Sequence, residues 1–369
     1  MTARISRISL GAAMLTLAAL PAGAETVVER ANRGLVEIAT GSTFGTDARM
    51  VEDLADLLDD GATRRIVAMI GKGSQQNLFD LKVLRGIDVA VVQWDVLENA
   101  RAEKRPPGIE YVTYIAKLYN EEFHLLARPE VKTLADLAGK KVNLGVPGDG
   151  TAFTGAKILA ANKVKAQVTS YPLPVAFDKL KSGEIAAIAY VAAKPAPLFA
   201  LVRPQDGLHL VPIPLKPEMA QSYVPARFTA EDYPDLVSGS APVDTVAVGA
   251  VLVAANLAPE SERNRNVANF VDAFFTQFPK LLEPGHHPKW NEVNLATELP
   301  NWRRYAPAEA WIRRNGGAAA PATVTDQQLR DIFAKFLDER TRASGATLTA
   351  QQKEDLFGQF KRWQEGKTR

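Results

Sequence analysis

The segment at 142–159, VNLGVPGDGTAFTGAKIL, predicts a β-strand, a glycine-rich turn and then a helix. Its nearest chemical template is the phosphate loop GxxxxGK[ST], in which backbone N–H groups surround the phosphates and a lysine reaches the terminal ones. Counted from Gly145, Gly150 fits this spacing, but Thr151 stands at the position of the lysine. The dinucleotide-binding version fails as well, because Phe153 occupies the position of its third glycine. What remains is a helix N-terminus behind a flexible turn, which suits an anion or another hydrogen-bond acceptor.

Polar residues also follow three earlier strand-like runs, at 35–40, 64–70 and 88–93. One hydrogen bond contributes about 0.5–1.5 kcal/mol, whereas micromolar affinity needs about 8 kcal/mol, so several loops would have to close on a ligand together. For any single serine or threonine, an N-cap that bonds only its own helix is an equally good interpretation. The candidate ligand-binding residues are Ser42, Thr43, Thr46, Gln75, Asn77, Gln93, Trp94, Tyr119, Gly148, Asp149, Gly150, Thr151, Thr154 and Lys194.

The sequence contains no recognisable catalytic or metal-binding pattern. It has no cysteine, no GxSxG elbow and no HExxH spacing around any histidine. The carboxylate pair Glu121–Glu122 is typical of a charged turn or helix end, where we expect it to be solvated. We therefore predict that the protein is not an enzyme and uses no metal or cofactor. An active site assembled from distant residues stays open as an alternative. The four histidines are His124, His209, His286 and His287.

The first 24 residues have the three parts of a secretory signal peptide. Arg4 and Arg7 precede an apolar run at 8–20, and the residues from Ala22 to Ala24 form a small-residue cleavage site. A buried N-terminal helix is the alternative interpretation. We predict cleavage after Ala24 and export to the periplasm.

The mature chain has an even charge balance and no apolar run long enough to span a membrane. Removing the signal peptide removes two arginines, which leaves equal numbers of basic and acidic residues. This balance gives no electrostatic reason to expect nucleic acid or an anionic membrane surface as a partner. We expect a monomer that is free in its compartment, without direct membrane insertion after cleavage.

The order of predicted elements is that of an α/β protein with two lobes and largely parallel sheets. Strands alternate with helices in the first hundred residues, residues 109–128 form an extended crossing, and the same alternation then restarts. Residues 209–215 could carry the chain back, ahead of an apolar strand at 244–255. Ligands of open α/β sheets bind beyond the carboxyl ends of the strands, so the turns of both lobes should face one cleft. We assign residues 25–125 and 212–285 to lobe 1 and residues 126–211 to lobe 2.

Residues 286–369 differ in character from the rest and form a predicted helical extension. Its first part is polar and rich in tryptophan, residues 315–324 have the composition of a linker, and two amphipathic helices follow. Capping-box patterns mark the starts of both helices. The extension either packs onto a lobe or presents a docking surface to a partner.

From about Leu35 to about Leu215 the chain resembles the TAXI proteins, the solute-binding components of one branch of TRAP transporters. The matching stretches are GKGSQQNLFDLKVLRGIDVAVVQWDV, KLYNEEFHLLAR, TLADLAGKKVNLGVPGDGTAFT and IAAIAYVAAKPAP. The resemblance implies a type II periplasmic binding protein fold and a receptor that hands a small organic acid or acidic amino acid to a sodium-coupled permease. It also implies ligand contacts from the loop Gly41 to Thr46, from Asn77, Gln93 and Tyr119, and from the turn Gly148 to Thr154.

The sequence departs from the family pattern at charged positions. Asp47 stands where aromatic residues usually follow the first loop, Asp149 replaces the serine of a GSGT turn, and Ala193 with Lys194 stands at a usual glycine. Together with Lys72, these residues put both signs of charge near the predicted cleft. We expect a ligand with a carboxylate and a second polar or cationic group, such as an amino acid. The alternative is that all four charges point to solvent at the cleft rim.

Three functional hypotheses follow from the sequence. The first is a periplasmic receptor that captures a small carboxylate or amino acid between its lobes and delivers this small-molecule solute to TRAP-type membrane permease subunits. The second is the binding component of an ABC importer, which uses the same clamp. The third is a ligand-binding sensory protein that docks to a partner through the C-terminal extension.

Overall fold

The computed structural model describes residues 26–237 and 241–315 of the 369-residue chain, together with the single residues Thr349, Gln351 and Phe357. The predicted signal peptide, the predicted linker beyond Asn315 and most of the two helices expected after it lie outside the described residues. No helix in the described ranges is long and apolar enough to cross a membrane.

The first part of the chain forms the strand–helix units that the apolar periodicity predicted. Its elements are α1 (Val27–Asn32), β1 (Leu35–Thr40), α2 (Thr46–Leu58), β2 (Arg65–Ile70), α3 (Ser74–Val83), β3 (Ile87–Gln93) and α4 (Trp94–Glu103). β1 lies between β2 and β3 and is parallel to both. In α2, Met50, Leu54 and Leu58 recur at helical spacing and are fully buried, so this face covers the sheet.

The predicted crossing is a single 15-residue strand, β4 (Thr113–Ala127). After β4, strands and helices alternate again. The elements are β5 (Lys141–Asn143), α5 (Gly150–Ala161), β6 (Gln167–Thr169), α6 (Leu173–Ser182), β7 (Ala187–Ala192) and β8 (His209–Leu210). β5 lies between β6 and β7 and is parallel to both. These strands form a second group that repeats the arrangement of the first.

Two further strands and two helices complete the described chain. They are β9 (Val224–Phe228), β10 (Val243–Ala254), α7 (Glu262–Leu281) and α8 (Ala306–Arg314). β10 is the apolar strand that the sequence predicted, and it runs antiparallel to β3, β4 and β9. The strand order is β2-β1-β3-β10-β4-β7-β5-β6, with β8 beside β4 and β9 beside β10.

The predicted α/β fold class is confirmed, but the expectation of largely parallel sheets is wrong, because the sheet is mixed. Strands within each group are parallel, whereas β4 and β10 are antiparallel to their neighbours. β4 pairs with β10 along its first part and with β7 along its second. The pair β10 and β4 therefore joins β3 of the first group to β7 of the second, so the sheet is continuous and β4 runs antiparallel to each strand with which it pairs.

The division into lobes remains a prediction, and the packing favours a later return to lobe 1 than residue 212. Residues 209–215 contain only the two-residue strand β8, which pairs with the end of β4. Phe228 and Tyr233 then pack with Phe199 in the core beside β7. This part of the chain thus shares a core with β7, while Ser222 and Tyr223 bond to Glu98 and Asp95 of α4.

The described part of the predicted extension, residues 286–315, is built into the core of the first strand group. Trp290 is fully buried, with its ring centroid 5.8 Å from that of Phe274 in α7. Trp311 of α8 lies edge-on to Phe275, with the ring centroids 5.4 Å apart. These two tryptophans therefore stabilise the fold and do not form an exposed docking surface.

Candidate ligand-binding site

Turns that follow strands of the first group contact turns that follow strands of the second. The hydroxyl of Tyr190, in β7, donates to the carbonyl of Phe44 at 2.9 Å. The backbone N–H of Ala193 donates to the hydroxyl oxygen of Thr46 at 2.8 Å. We call this contact zone the interlobe interface; it comprises residues 41–47, 72–77, 93–95 and 119–121 on one side and residues 145–154 and 190–193 on the other.

Two glycines allow the two sides of the interface to approach closely. Gly73, with φ at 120°, lies against Asp149, where a Cβ atom would stand 3.2 Å from the Asp149 carboxylate. A Cβ atom on Gly150 would stand only 2.1 Å from the side-chain oxygen of Gln93. The interface is therefore closed, and no larger residue fits at position 150 without displacing Gln93.

The helix N-terminus behind the glycine-rich turn is capped by a carboxylate of the protein itself. Asp149 is the N-cap residue of α5, and its Oδ1 accepts the backbone N–H of Thr151 at 3.0 Å. Burial is the main cause that raises the pKa of Asp149 to about 7; the Thr151 N–H opposes this rise, and the charge of Asp47 adds to it. The N–H group that a ligand anion would use already has an anionic partner.

The turn after β1 is closed in the same way. Asp47 lies in the first turn of α2, and its carboxylate accepts the backbone N–H of Gly41 and, at 3.0 Å, that of Ala48. Burial raises the pKa of Asp47 above its ordinary value, although these N–H groups oppose the rise. In both turns that the sequence predicted to bind a ligand, backbone N–H groups thus already donate to an aspartate of the protein.

A third carboxylate, Glu121, lies on β4 in the middle of the interface and is buried, whereas Asp47 and Asp149 are half-buried. Its Oε2 accepts the side-chain N–H of Gln93 at 3.1 Å. Tyr119, two residues earlier, lies on the same face of β4, because side chains alternate along a strand. The hydroxyl of Tyr119 is fully buried and has no hydrogen-bond partner among the residues that the structure describes. Burial, followed by the charges of Glu121 and Asp47, raises the pKa of this hydroxyl.

These three carboxylates lack a cationic partner in the described structure. Burial raises the pKa of Glu121, and the negative charge of Asp47 raises it further. Within residues 26–237 and 241–315, no lysine or arginine forms an ion pair with Asp47, Glu121 or Asp149. Nor is any group of three or more histidine, aspartate or glutamate side chains in these ranges arranged to hold a metal ion. The interface therefore contains three carboxylates without a cationic counter-charge among the described residues.

Glu122 belongs to a different network on the opposite face of β4. The ammonium of Lys289 donates to Glu122 at 2.8 Å and to Glu292 at 2.7 Å. The backbone N–H of Lys194 donates to the other oxygen of Glu122 at 3.2 Å. The expectation that Glu121 and Glu122 are solvated is wrong: both lie inside a central strand, where burial excludes water from each.

His124 continues this second network as a neutral residue. Its Nδ1 lies 2.9 Å from the carbonyl of Glu122 and 3.2 Å from that of Tyr190, so Nδ1 carries the proton. Its Nε2 accepts the hydroxyl of Tyr233 at 2.7 Å. Burial lowers the pKa of His124 to about 3. This histidine holds β4 to the second strand group and carries no charge at neutral pH.

Two of the predicted site threonines bond across or beside the interface. The hydroxyl oxygen of Thr151 accepts the backbone N–H of Val191 at 3.1 Å. The hydroxyl of Thr154 donates to Asp95 at 2.7 Å, and the Tyr223 hydroxyl donates to the same carboxylate oxygen at 2.7 Å. The threonines thus position α5 against β7 and α4, and Gly148 lies in the turn that precedes α5.

Other predicted site residues have structural partners or face solvent. The side-chain amide of Asn77 donates to the carbonyl of Val91 at 2.9 Å, and Trp94 packs in the core. The ammonium of Lys194 is held by Asp232 at 2.9 Å, so it is paired away from Asp149. The role of each predicted residue in ligand binding remains a prediction. The exposed members of the predicted set are Ser42, Thr43 and Gln75.

The predicted site did not include Glu121, Tyr190 or Lys289. A signal for the first was present, because an acidic residue inside the apolar run KLYNEEFHLL has to be buried if the run is a strand. Tyr190 lies inside AIAYVA and has a comparable signal, a polar hydroxyl in a buried strand. Lys289 had none, since it lies 167 residues from Glu122 along the chain.

Several solved structures are partly similar to this chain. A substrate-binding protein of an ABC uptake transporter from Streptococcus pneumoniae, with bound histidine, is 13% identical over 69% of this chain and 91% of that chain, with a TM-score of 0.42. The alkanesulfonate-binding protein SsuA from Xanthomonas axonopodis pv. citri, bound to MOPS, is 14% identical over 83% and 93%, with a TM-score of 0.41. An ancestral arginine-binding protein bound to glutamine is 17% identical over 70% and 97%, with a TM-score of 0.39.

The family assignment comes from the sequence over most of its length. Residues 38–298 match the model of the NMT1-like family. This range includes every residue of the interlobe interface and the lysine that pairs with Glu122. The chain therefore belongs to the NMT1-like family.

Proposed function

We propose that the protein is an exported solute-binding receptor, which captures a small molecule in the interlobe interface and delivers it to a membrane permease. The observation that carries the proposal is the set of buried polar groups where turns of both strand groups meet. Carboxylates that are withdrawn from water without a cationic partner are costly, so a structure that gathers them at such a contact favours a ligand as the missing counter-charge.

The connections between the strand groups suit a hinged clamp. β10 pairs with β3 of the first group, β4 pairs with β7 of the second, and these two long strands pair with each other. The turns of the two groups meet through a small number of hydrogen bonds. Each such bond contributes about 0.5–1.5 kcal/mol net, so separating the turns costs far less than unfolding either group. We propose that the turns separate to admit the solute and close around it.

The transport partner in this proposal is a TRAP-type permease, on the basis of the sequence resemblance. An ABC importer stays the alternative, because the same clamp serves both. The burial of Trp290 and Trp311 leaves the sensory hypothesis to the rest of the C-terminal extension, most of which lies outside the described residues.

A thermal-shift screen of the mature chain, beginning at Glu25, tests the proposal. A solute at 100 times its dissociation constant raises the free energy of unfolding by about 2.7 kcal/mol, which gives a clear rise in the melting temperature. The panel contains organic acids, amino acids and amines. If none of them raises the melting temperature, the receptor proposal is contradicted.

A variant pair localises the binding. Gly150→Ala places a methyl group against Gln93, so it should weaken the binding of any solute found in the screen by tenfold or more. Ala156→Ser changes an exposed position on the same helix and should leave the affinity unchanged. Equal affinities for the two variants would place the binding site elsewhere.

A further inference from the structure

We propose that the solute is an organic cation, with an ammonium or guanidinium group and no free carboxylate, and that the cation binds among Asp47, Glu121 and Asp149. This inference rests on the receptor function proposed above and specifies the class of solute. It replaces the sequence-based expectation of a small carboxylate or amino acid.

The groups that would bind a ligand carboxylate already have partners within the protein. Backbone N–H groups at helix N-termini are the natural anion sites of this fold class. The N–H groups of Gly41 and Ala48 bond to Asp47, and that of Thr151 bonds to Asp149. An incoming carboxylate would have to displace these aspartates and then lie beside their negative charges.

Charge is unbalanced around the three carboxylates. Tyr119 and Tyr190 lie on their side of β4, and the charges of Glu122 and Lys289 act on Glu121 from the other side. The ammonium of Lys289 is bound to Glu122 and Glu292. Lys72 is exposed, lies against Gly148 and forms no ion pair with the three carboxylates in the described structure. Like charges that share a buried site cannot all ionise without a counter-charge. A bound cation supplies the counter-charge that the described residues lack.

The Tyr119 hydroxyl is a buried polar group that lacks a partner. It lies on the same face of β4 as Glu121, the charges of Glu121 and Asp47 raise its pKa, and it has no hydrogen-bond partner among the described residues. An unpaired buried hydroxyl costs about 1–3 kcal/mol, so its presence at the interface points to a ligand group that completes it. An ammonium carries three N–H donors and a guanidinium five, and both can be shared among carboxylate and hydroxyl oxygens.

A metal ion fits this site less well than an organic cation. No group of three or more acidic or histidine side chains in the described ranges is placed to coordinate a metal. The interface also contains two tyrosines, Tyr119 and Tyr190, whose hydroxyls have their pKa raised by the acidic residues, and aromatic rings favour organic cations through cation–π contact.

Calorimetric titration of the mature protein with three sets of solutes tests the inference. The cations are putrescine, agmatine and choline; the zwitterions are histidine and glutamine; the anions are glutamate, succinate and pyruvate. We expect a member of the first set to bind most tightly. If a zwitterion or an anion binds most tightly, the inference is overturned while the receptor function stands. If nothing in the panel binds, both fail.

A matched pair of variants then tests the site for the tightest cation. Glu121→Gln keeps the shape and the bond to Gln93 but removes the charge, so the affinity should fall by about 10–100-fold. Glu122→Gln makes the same change one residue along, on the opposite face of β4, and should alter the affinity by less than about threefold. Melting temperatures of both variants without ligand show whether each is folded. Equal losses of affinity in the two folded variants would overturn the assignment.

Discussion

Glu121 and Glu122 are neighbours in the sequence and are both buried, yet their surroundings differ. Glu122 accepts the ammonium of Lys289 and the backbone N–H of Lys194. Glu121 accepts one neutral amide, from Gln93, and lies beside Asp47. Because successive side chains of a strand point to opposite faces, one residue step separates a satisfied network from an unsatisfied one.

On the proposed function, the difference separates a carboxylate that belongs to the fold from one that is available to a ligand. A buried charge with a cationic partner and hydrogen bonds needs no ligand to balance it. A buried carboxylate without a cationic partner, whose pKa is raised by burial and by a like charge, is typical of a site that exchanges protons or waits for a counter-charge.

The largest effect on stability is expected when the network around Glu122 loses its cation. Lys289→Met removes the ammonium between Glu122 and Glu292 and leaves a buried carboxylate unpaired. The free energy of unfolding, measured with denaturant, should fall by about 3–5 kcal/mol. The exposed Lys280→Gln is the control and should change it by no more than about 0.5 kcal/mol. A loss below 1 kcal/mol for Lys289→Met would show that the network is not structural.

In the interface, removal of a carboxylate should make the protein more stable than the wild type as the pH rises. The pKa of Asp149 in the folded protein is about 7, above its ordinary value, so the folded state binds more protons than the unfolded state between about pH 4 and 7. The contribution of protonated Asp149 to the free energy of unfolding is fully present below about pH 4 and is lost as the pH rises through 7. Relative to the wild type, Asp149→Asn should therefore gain roughly 1 kcal/mol per pH unit across this window. Asparagine keeps the N-cap, so a pH-independent difference would contradict the buried charge.

A pair of isosteric variants compares the two glutamates directly, without ligand. Glu122→Gln leaves Lys289 with one carboxylate and should lower the free energy of unfolding by about 1–3 kcal/mol. Glu121→Gln removes a like charge from beside Asp47 and should leave it unchanged or raised. Denaturant unfolding at pH 7.5 measures both. If Glu121→Gln is the more destabilising, the comparison is reversed.

The smallest effect is expected from two tyrosines. Tyr119→Phe removes a hydroxyl without a described partner, so stability should hold while the affinity for a bound cation falls by about 2–10-fold. Tyr190→Phe removes the bond to the Phe44 carbonyl and should lower stability by about 1 kcal/mol. A loss of stability for Tyr119→Phe equal to that for Tyr190→Phe would show that the Tyr119 hydroxyl has a structural partner.

The sequence was sufficient for the local elements and less so for the charges. Apolar periodicity located the strands and helices of both groups, because burial of one face determines that pattern. It missed the mixed sheet, since strand direction depends on which distant strands pair. It also assigned Asp149 a cleft position without showing that the carboxylate would cap its own helix. Pairing such as that of Lys289 with Glu122 depends on tertiary structure alone.

The direction of proton exchange on binding tests the central claim most directly. A cation that binds among Asp47, Glu121 and Asp149 favours their ionised forms, so binding should release protons and weaken as the pH falls from 8 to 5. Calorimetric titrations in two buffers with different heats of ionisation count these protons, and Glu121→Gln should release fewer. Proton uptake on binding, with affinity that rises as the pH falls, would mean that an anion enters the site and would contradict the account.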